Sequence, residues 1–331
     1  MTIAPPATAT RADNWLFSGD ALDVCHALSS GHVRDVDRGL RFDLVYLDPP
    51  FNVGASFAAR TRNGEGRGQR SRGTGPFAYA DAWGGREAFL AMLRPRLAAV
   101  RDLMAPTASL YLHLDYRTVH YAKVLCDDLF GSGAFRAEIV WAPGNGARSR
   151  RGPSITHQTL LVFSKDPRPS GEFVWNVDDP DLREPYAATS MSMHFRGRSP
   201  DGRAFRERTI GGKTYRYYAD QGRRLGSLWA DIPAMTANTP LNRQGTGYPT
   251  QKPEKLLQRI VRAASLPGHV VADLMCGSGT TLVAAARLGR TFIGADLSPL
   301  AIETTISRLE RSQIPFRAGR LEALGIAAGP C

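Results

Sequence analysis

Val270-Val-Ala-Asp-Leu-Met-Cys-Gly-Ser-Gly-Thr-Thr281 holds three pieces in a row. Val270 to Leu274 is an apolar strand, Gly277 and Gly279 make a turn, and Thr281 to Leu288 starts a helix closed by Gly289. A G-x-G turn lets a ligand approach the backbone, and the open N–H groups of a helix start favour polar or anionic ligands. A dinucleotide-binding turn wants a third glycine at position 282, where this chain has Leu282. The next strand, Thr291 to Ala295, is followed by Asp296, at the place where an acidic side chain can hold ribose hydroxyls. With Asp273 and Asp296 included, the segment suits an adenosine-bearing cofactor without a pyrophosphate. Taken alone, the glycine turn reads equally well as a tight strand–helix connection that binds nothing.

Outward from this stretch, strands and helices alternate. Glu254 to Ser265 places Leu256, Leu257, Ile260, Val261 and Ala264 on one helical face, and Ser298 with Pro299 forms the N-cap and first turn of a last long helix. Nearer the N-terminus, Phe42 to Leu47 is a buried strand. A helix follows from Arg86 to Met104, with Pro95 as a kink, then a strand from Ser109 to Leu114 and a helix from Thr118 to Leu129. Ala137 to Trp141 and Thr159 to Phe163 are further strands, placed as a hairpin. This alternation predicts an α/β fold with a doubly wound, mostly parallel sheet. Two stretches break it: Ala55 to Pro76, a Gly/Arg-rich segment expected to be a mobile loop, and residues 145–245, expected to be an inserted module.

A second candidate site is Asp48-Pro49-Pro50-Phe51, at the exit of the Phe42–Leu47 strand. Prolines lack the backbone donor, so the Asp48 carboxylate and the Pro49 carbonyl present acceptors at one spot. Two adjacent acceptors suit a group with two N–H bonds, such as the exocyclic amine of a base, and Phe51 offers a flat face for stacking. A proline-rich strand exit with a capping Asp and a core Phe is the structural alternative. Asn52 fits either a pocket wall or a turn, and His113 and Asp115 fit either a pocket lining or a structural role.

Together these segments resemble the amino-group (adenine-N6 or cytosine-N4) DNA methyltransferases. Asp48-Pro-Pro-Phe51 is similar to their catalytic motif, and Asp273 to Thr281 to their cofactor motif, with Leu274-Met275 in place of the usual Pro-Phe. Tyr248-Pro-Thr-Gln-Lys252-Pro253 resembles the segment preceding the cofactor strand, and Ser18-Gly19-Asp20 the adenine-ring contact. The order of motifs corresponds to the beta group, and the likeness covers Asn14 to Ile306 apart from the middle. It implies a Rossmann-like S-adenosylmethionine-dependent methyltransferase, with a catalytic half at 14–144, a target-recognition region at 145–247 and a cofactor-binding half at 248–310. Implied cofactor contacts are Asp20, Lys252, Pro253, Asp273, Met275 to Thr281, Asp296 and Ser298, with no metal. Implied partners are double-stranded DNA, a second subunit and a cognate restriction endonuclease. Asp at position 48 points to adenine N6, because the cytosine-N4 enzymes more often carry Ser there.

The chemistry implied is direct. A sulfonium methyl is already electrophilic, whereas the amine lone pair is delocalised into the ring. Asp48 and the Pro49 carbonyl would accept both amine hydrogens and localise that lone pair, with the base flipped out of the duplex against Phe51. No covalent enzyme intermediate is needed, so Cys276 reads as a packing residue in the turn.

Composition agrees. The chain has 331 residues, 43% of them hydrophobic, and 42 Lys+Arg against 31 Asp+Glu give +11. Five of the basic residues are Lys, and the Arg excess suits a polyanionic partner as well as a codon bias. The excess is concentrated: residues 55–76 carry five Arg against one Glu, and residues 145–245 carry 16 basic against 10 acidic residues. Residues 196–224 interleave nine Arg/Lys with Phe205, Tyr215, Tyr217 and Tyr218, and Phe195 directly precedes them. Arg196, Arg198, Arg206, Lys213 and Arg216 there, and Arg148, Arg150 and Arg151 before them, are candidate DNA contacts; a solvated face with core aromatics is the other reading. Met1 to Asp13 lacks the pattern of a signal peptide, and no apolar run reaches membrane-spanning length. Cys25, Cys126, Cys276 and Cys331 have no metal-ligand spacing, and the seven histidines form no ligand set, so a cytoplasmic, nucleoid-associated prokaryotic protein is expected. A nicotinamide oxidoreductase is disfavoured by Leu282 and by the Asp-Pro-Pro-Phe segment. A catalytically inactive DNA-binding regulator is disfavoured by the intact Asp48, Gly277 and Gly279.

Overall fold

Phe42–Leu47 and Val270–Asp273 are almost entirely buried runs of apolar residues, the signature of parallel strands covered on both faces. In the computed structural model they lie side by side, Val271 and Ala272 opposite Leu44 and Val45. The structure describes residues 13–33, 35–52, 54–58, 76–81, 83–144, 149–168, 172–235 and 244–320. In chain order the strands are β1 (Trp15–Ser18), β2 (Phe42–Leu47), β3 (Ala55–Ala58), β4 (Phe77–Asp81), β5 (Met104–Leu114), β6 (Phe135–Trp141), β7 (Gln158–Ser164), β8 (Arg183–Glu184), β9 (Gly197–Arg198), β10 (Ala204–Ile210), β11 (Lys213–Tyr218), β12 (Arg223–Arg224), β13 (Leu228–Trp229), β14 (Val270–Asp273), β15 (Thr291–Asp296) and β16 (Arg317–Arg320). The helices are α1 (Ala21–Ser29), α2 (Arg86–Leu103), α3 (Val119–Phe130), α4 (Ala188–His194), α5 (Glu254–Ala264), α6 (Thr280–Arg287) and α7 (Pro299–Arg311).

Nine strands form one sheet in the order β13-β6-β7-β5-β2-β14-β15-β1-β16. All pairings in it are parallel except those of β7 with β5 and β6, so β7 alone runs against the others. Alternate side chains of the central strands feed two cores. One holds Val45, Leu47 and Ala272 with α1, α2 and α3; the other holds Leu44, Tyr46 and Val271 with α5, α6 and α7. The sheet is thus sandwiched between two helical layers, the doubly wound arrangement expected from the alternation. From β14 the chain winds outward through β15; from β2 it winds the other way through β5. The β2/β14 pair is therefore the switch point, where the carboxyl ends of strands leave a crevice.

Helix boundaries follow local chemistry. Ser298 Oγ accepts from Ala301 N at 3.4 Å with Pro299 in the first turn of α7, as expected. Pro95 lies within α2, whose helical span continues on both sides. That helix stops at Leu103, because Met104 already begins the long strand β5.

Two expectations are corrected. Residues 55–58 and 77–81, at the ends of the supposed loop 55–76, pair as an antiparallel ribbon; residues 59–75 lie outside the described residues, as do Arg148, Met1 to Ala12 and Cys331. Within 145–247, β7 and β13 belong to the main sheet, and the described strands outside it, β8 to β12, fall within 183–224. The reason is burial: Leu160, Leu161 and Phe163 are fully enclosed, and Trp229 is a core residue. After Trp229, Asp231 pairs with Arg259 of α5 at 2.5 Å and the Ile232 carbonyl accepts from Trp141 Nε1 at 2.7 Å. Trp229 to Pro233 thereby fastens the sheet edge to α5. No helix among the described residues is long and apolar enough to cross a membrane.

Candidate active site

Asp48 follows β2 directly, and the turn at Gly277 and Gly279 follows β14, so adjacent strands deliver both segments to one end of the sheet. The two glycines hold positive φ of 51° and 69°. A Cβ at Gly279 would stand 2.7 Å from the Thr305 methyl, and one at Gly277 would stand 3.3 Å from the Tyr248 ring. Glycine is required at 279 both by the left-handed backbone and by this wall.

The turn is braced from both sides. Asp296 Oδ2 accepts from Gly277 N at 2.8 Å, its Oδ1 accepts from Ser298 N at 2.8 Å, and Thr305 Oγ1 donates to the Gly277 carbonyl at 3.0 Å. Beneath it, Arg308 Nη1 donates to the Ser278 carbonyl and to Thr280 Oγ1. Asp273 is enclosed at the strand end, accepting from Met275 N at 3.3 Å. Burial raises its carboxyl to about 7 against the pull of Thr281 and the Met275 amide, and Asp48 and Asp296 push in the same direction as burial. Burial likewise raises Asp296 to about 6 despite its amide donors. Cys276 packs inside, its Sγ 4.0 Å from Thr305 Oγ1 and its thiol pushed up by burial.

At the β2 exit, the Asp48 carboxylate pairs through Oδ2 with the Lys252 ammonium. Oδ1 is buried with no hydrogen-bond partner among the described residues. Burial raises the Asp48 carboxyl, and Lys252 opposes it. Lys252 Nζ also stands 5.2 Å from the Phe51 ring centroid. Lys252, one of the cofactor contacts implied by the resemblance, lies on the carboxylate at 48, while Pro253 next to it is the N-cap residue of α5.

Sequence reasoning passes over Tyr79 and Asp81 here, and it leaves Asn52 and His113 open between a pocket role and a structural one. Asp81, at the end of β4, is 2% exposed and accepts from the amides of Phe51, at 3.0 Å, and Asn52. Asn52, at φ 58°, is held in turn by Trp83 N and the Gly85 carbonyl, so its role is to shape the loop. His113 at the end of β5 is fully buried. Its Nδ1 is 2.8 Å from Tyr46 OH, and its ring touches Phe51 and Trp141. Tyr79 of β4 reaches across to Thr250 and Tyr248, and Ser298 Oγ donates to the Ala78 carbonyl, so the β3–β4 ribbon straps the two motif loops together. The only advance signal was the apolar alternation Phe77-Ala-Tyr79 ending in an acid.

Asp20 caps α1 through Leu22 N and pairs with Arg96 at 2.5 Å. No group of three or more His, Cys, Asp and Glu suited to a metal occurs among the described residues.

A family model for DNA methylases acting at N6 or N4 matches residues 42–307. The chain belongs to the N6/N4 DNA methylase family. A type II methyltransferase of Moraxella bovis, M1.MboII, is 30% identical over 84% of this chain and 92% of its own length. The DNA adenine methyltransferase YhdJ of Escherichia coli is 23% identical over 89% and 84%. Among solved structures, the cytosine-N4-specific PvuII DNA methyltransferase superposes with a TM-score of 0.53, covering 96% of this chain and 94% of that one at 15% identity. The M1.HpyAVI–SAM complex gives 0.52, with 89% and 98% covered at 16% identity.

In this methyltransferase the candidate DNA contacts are not equivalent. Arg216 is paired with Glu207 at 2.7 Å, and Arg206 is enclosed by the rings of Tyr186, Phe195 and Tyr217. Arg198 donates to the Phe195 and Gly197 carbonyls but remains exposed, as do Arg150, Arg151, Arg196 and Lys213.

Proposed function

We propose that this DNA methyltransferase transfers the methyl group of S-adenosylmethionine to the N6 amine of an adenine flipped out of double-stranded DNA. The observation that carries this reading is the meeting, at the β2/β14 switch point, of a glycine turn flanked by the buried Asp273 and the half-buried Asp296 with Asp48, whose Oδ1 has no hydrogen-bond partner among the described residues. The turn suits the cofactor: its glycines allow the backbone to pack closely against Tyr248 and Thr305, and Asp273 and Asp296 place two carboxylates, raised by burial, at its ends. The SAM complex of the neighbouring M1.HpyAVI supports the same choice. When bound, S-adenosylmethionine supplies a methyl group activated by its sulfonium.

The chain's own residues prepare the amine. Asp48 Oδ1 takes one amine hydrogen and the Pro49 carbonyl the other, which draws the nitrogen toward tetrahedral geometry and localises its lone pair. Charge developing on that nitrogen faces the Asp48 carboxylate, whose ionised form Lys252 favours against the effect of burial. After transfer the nitrogen carries one proton too many, and Oδ1 takes it. Phe51 stacks on the extruded base, held in place by the bonds of Asp81 to the loop behind it. Asp at 48 and the adenine specificity named for the YhdJ relative favour adenine. The type II designation of M1.MboII supports a setting beside a restriction endonuclease.

The test is transfer of labelled methyl from S-adenosylmethionine to unmethylated plasmid DNA, followed by hydrolysis and identification of the base. N6-methyladenine is expected. N4-methylcytosine would overturn the choice of base, and unlabelled DNA would overturn methyl transfer itself. Asp48→Ala is expected to lower kcat by roughly 1,000-fold while cofactor binding persists.

A further inference from the structure

Within 183–224 lies a two-stranded ribbon, β10–β11, joined at Gly211-Gly212. All ten residues from Glu207 to Arg216 are exposed. A bare hairpin of this kind gains little stability by itself, so its composition is free to serve an interaction.

The register separates its two faces. On one face Glu207 stands opposite Arg216 and Thr209 opposite Thr214. Every charge there is satisfied internally: Arg216 bonds Glu207 and lies 4.1 Å over Phe205, while Arg203 at the ribbon's root makes two 2.9 Å bonds to Asp220 and stacks on Tyr218. On the other face Arg208 stands opposite Tyr215, and Ile210 opposite Lys213. Arg198 of β9 joins this face through its pairing with Ala204. No carboxylate occurs on it. Tyr215 and Ile210 are 41% and 56% exposed, and Arg206, caged by three rings, stiffens its root.

We infer that the Arg208/Lys213/Tyr215 face of this ribbon docks into the major groove of double-stranded DNA, as a deepening of the reading proposed above. A major groove admits a two-stranded β-ribbon, phosphates take unpaired cations, and a planar or apolar side chain at the tip can meet base edges and thymine methyls. Arg216 and Arg203, neutralised by their own carboxylates, stay off the DNA.

The full-length protein carrying Arg208→Gln/Lys213→Gln is compared with one carrying Arg203→Gln/Arg216→Gln, an identical change in charge on the opposite face. The probes are a mixed-sequence 40-base-pair duplex for binding and unmodified plasmid DNA for methylation. The first variant is expected to bind roughly tenfold more weakly, with a plot of log affinity against log salt shallower by about 2, because two phosphate contacts are gone. Its KM for DNA rises while kcat at saturating DNA holds, and Kd for S-adenosylmethionine is unchanged. The opposite-face variant stays within about twofold of wild type. Equal losses from both variants, or loss only from the second, overturn the inference. So does a wild-type self-association that the first variant abolishes while DNA affinity holds. The assignment to the major groove fails if saturating netropsin, a minor-groove ligand, erases the difference between wild type and the first variant. A wild type that binds duplex but transfers no methyl group refutes the proposed reaction and leaves the ribbon test standing.

Discussion

Asp48 is asked to be two things at once: enclosed enough for its charge to act on the amine, and ionised enough to have that charge. Burial alone pushes its carboxyl upward, and the Lys252 ammonium counters the push. Lys252→Gln removes the counterweight and leaves burial unopposed. Asp48 then titrates at higher pH, so the acid limb of the kcat profile moves toward alkaline pH, and the activity lost on the acid side is partly regained as pH rises. A steady-state pH profile of both proteins with S-adenosylmethionine saturating checks this; a uniformly lowered profile with an unmoved limb would assign Lys252 to packing. The motif around Asp48 was legible in the sequence because its chemistry is contiguous. Its partner was not, since the bond spans 204 positions and nothing local at Lys252 names the carboxylate it will meet.

The elements around the glycine turn depend on a charge cluster inside the helical layer. Glu254, at the start of α5, is 6% exposed. It pairs with Arg287 of α6 at 2.5 Å and faces Arg308 of α7 at 3.8 Å. Arg308 is itself the donor that holds Ser278 and Thr280, and burial lowers its guanidinium to about 10. Glu254→Ala strands a buried cation beneath the turn, which costs about 3–5 kcal/mol. Urea unfolding measures the loss, and Glu254→Gln, which keeps a carbonyl acceptor, is expected to recover part of it. Elements with strong periodicity were readable in advance: β2, β14, α5 and α7 have apolar faces or runs that leave one consistent placement. The β3–β4 ribbon was not, because Tyr79 and Asp81 are fixed by docking against Tyr248, Thr250 and the Asp48 loop rather than by any local pattern. The membership of β7 and β13 in the main sheet was missed for a related reason. The strand at Thr159–Phe163 and its hairpin pairing with Ala137–Trp141 were legible, but its pairing with β5 was not, and the two-residue strand β13 is too short to leave a pattern of its own.

For the molecule as a whole, the two raised carboxylates at the crevice impose a pH dependence opposite to the usual acid lability. Asp273 titrates at about 7 and Asp296 at about 6 in the folded protein, against about 3.9 for Asp in an unfolded chain. Between roughly pH 4 and 7 these two groups hold more protons in the native state than in the unfolded one, so their contribution to stability falls as pH rises through that window. Buried His113, lowered by desolvation, acts with the opposite sign below its ordinary value and offsets part of the decline. Carboxylates drawn down by arginine, such as Asp231 at about 2, act with the opposite sign but have finished titrating below it. The ligand-free protein should consequently show a urea midpoint that declines from pH 5 to pH 7.5. Asp296→Asn removes one of the two groups, and the decline should become shallower in that variant. Adding S-adenosylmethionine should stabilise wild type more at pH 7.5 than at pH 5, because donors from a bound ligand favour the ionised carboxylates and binding releases protons. An unfolding series at both pH values, with and without the ligand, reads all three comparisons. A wild-type midpoint that climbs across this range, with Asp296→Asn indistinguishable from it, would show that the crevice carboxylates are already compensated in the free protein.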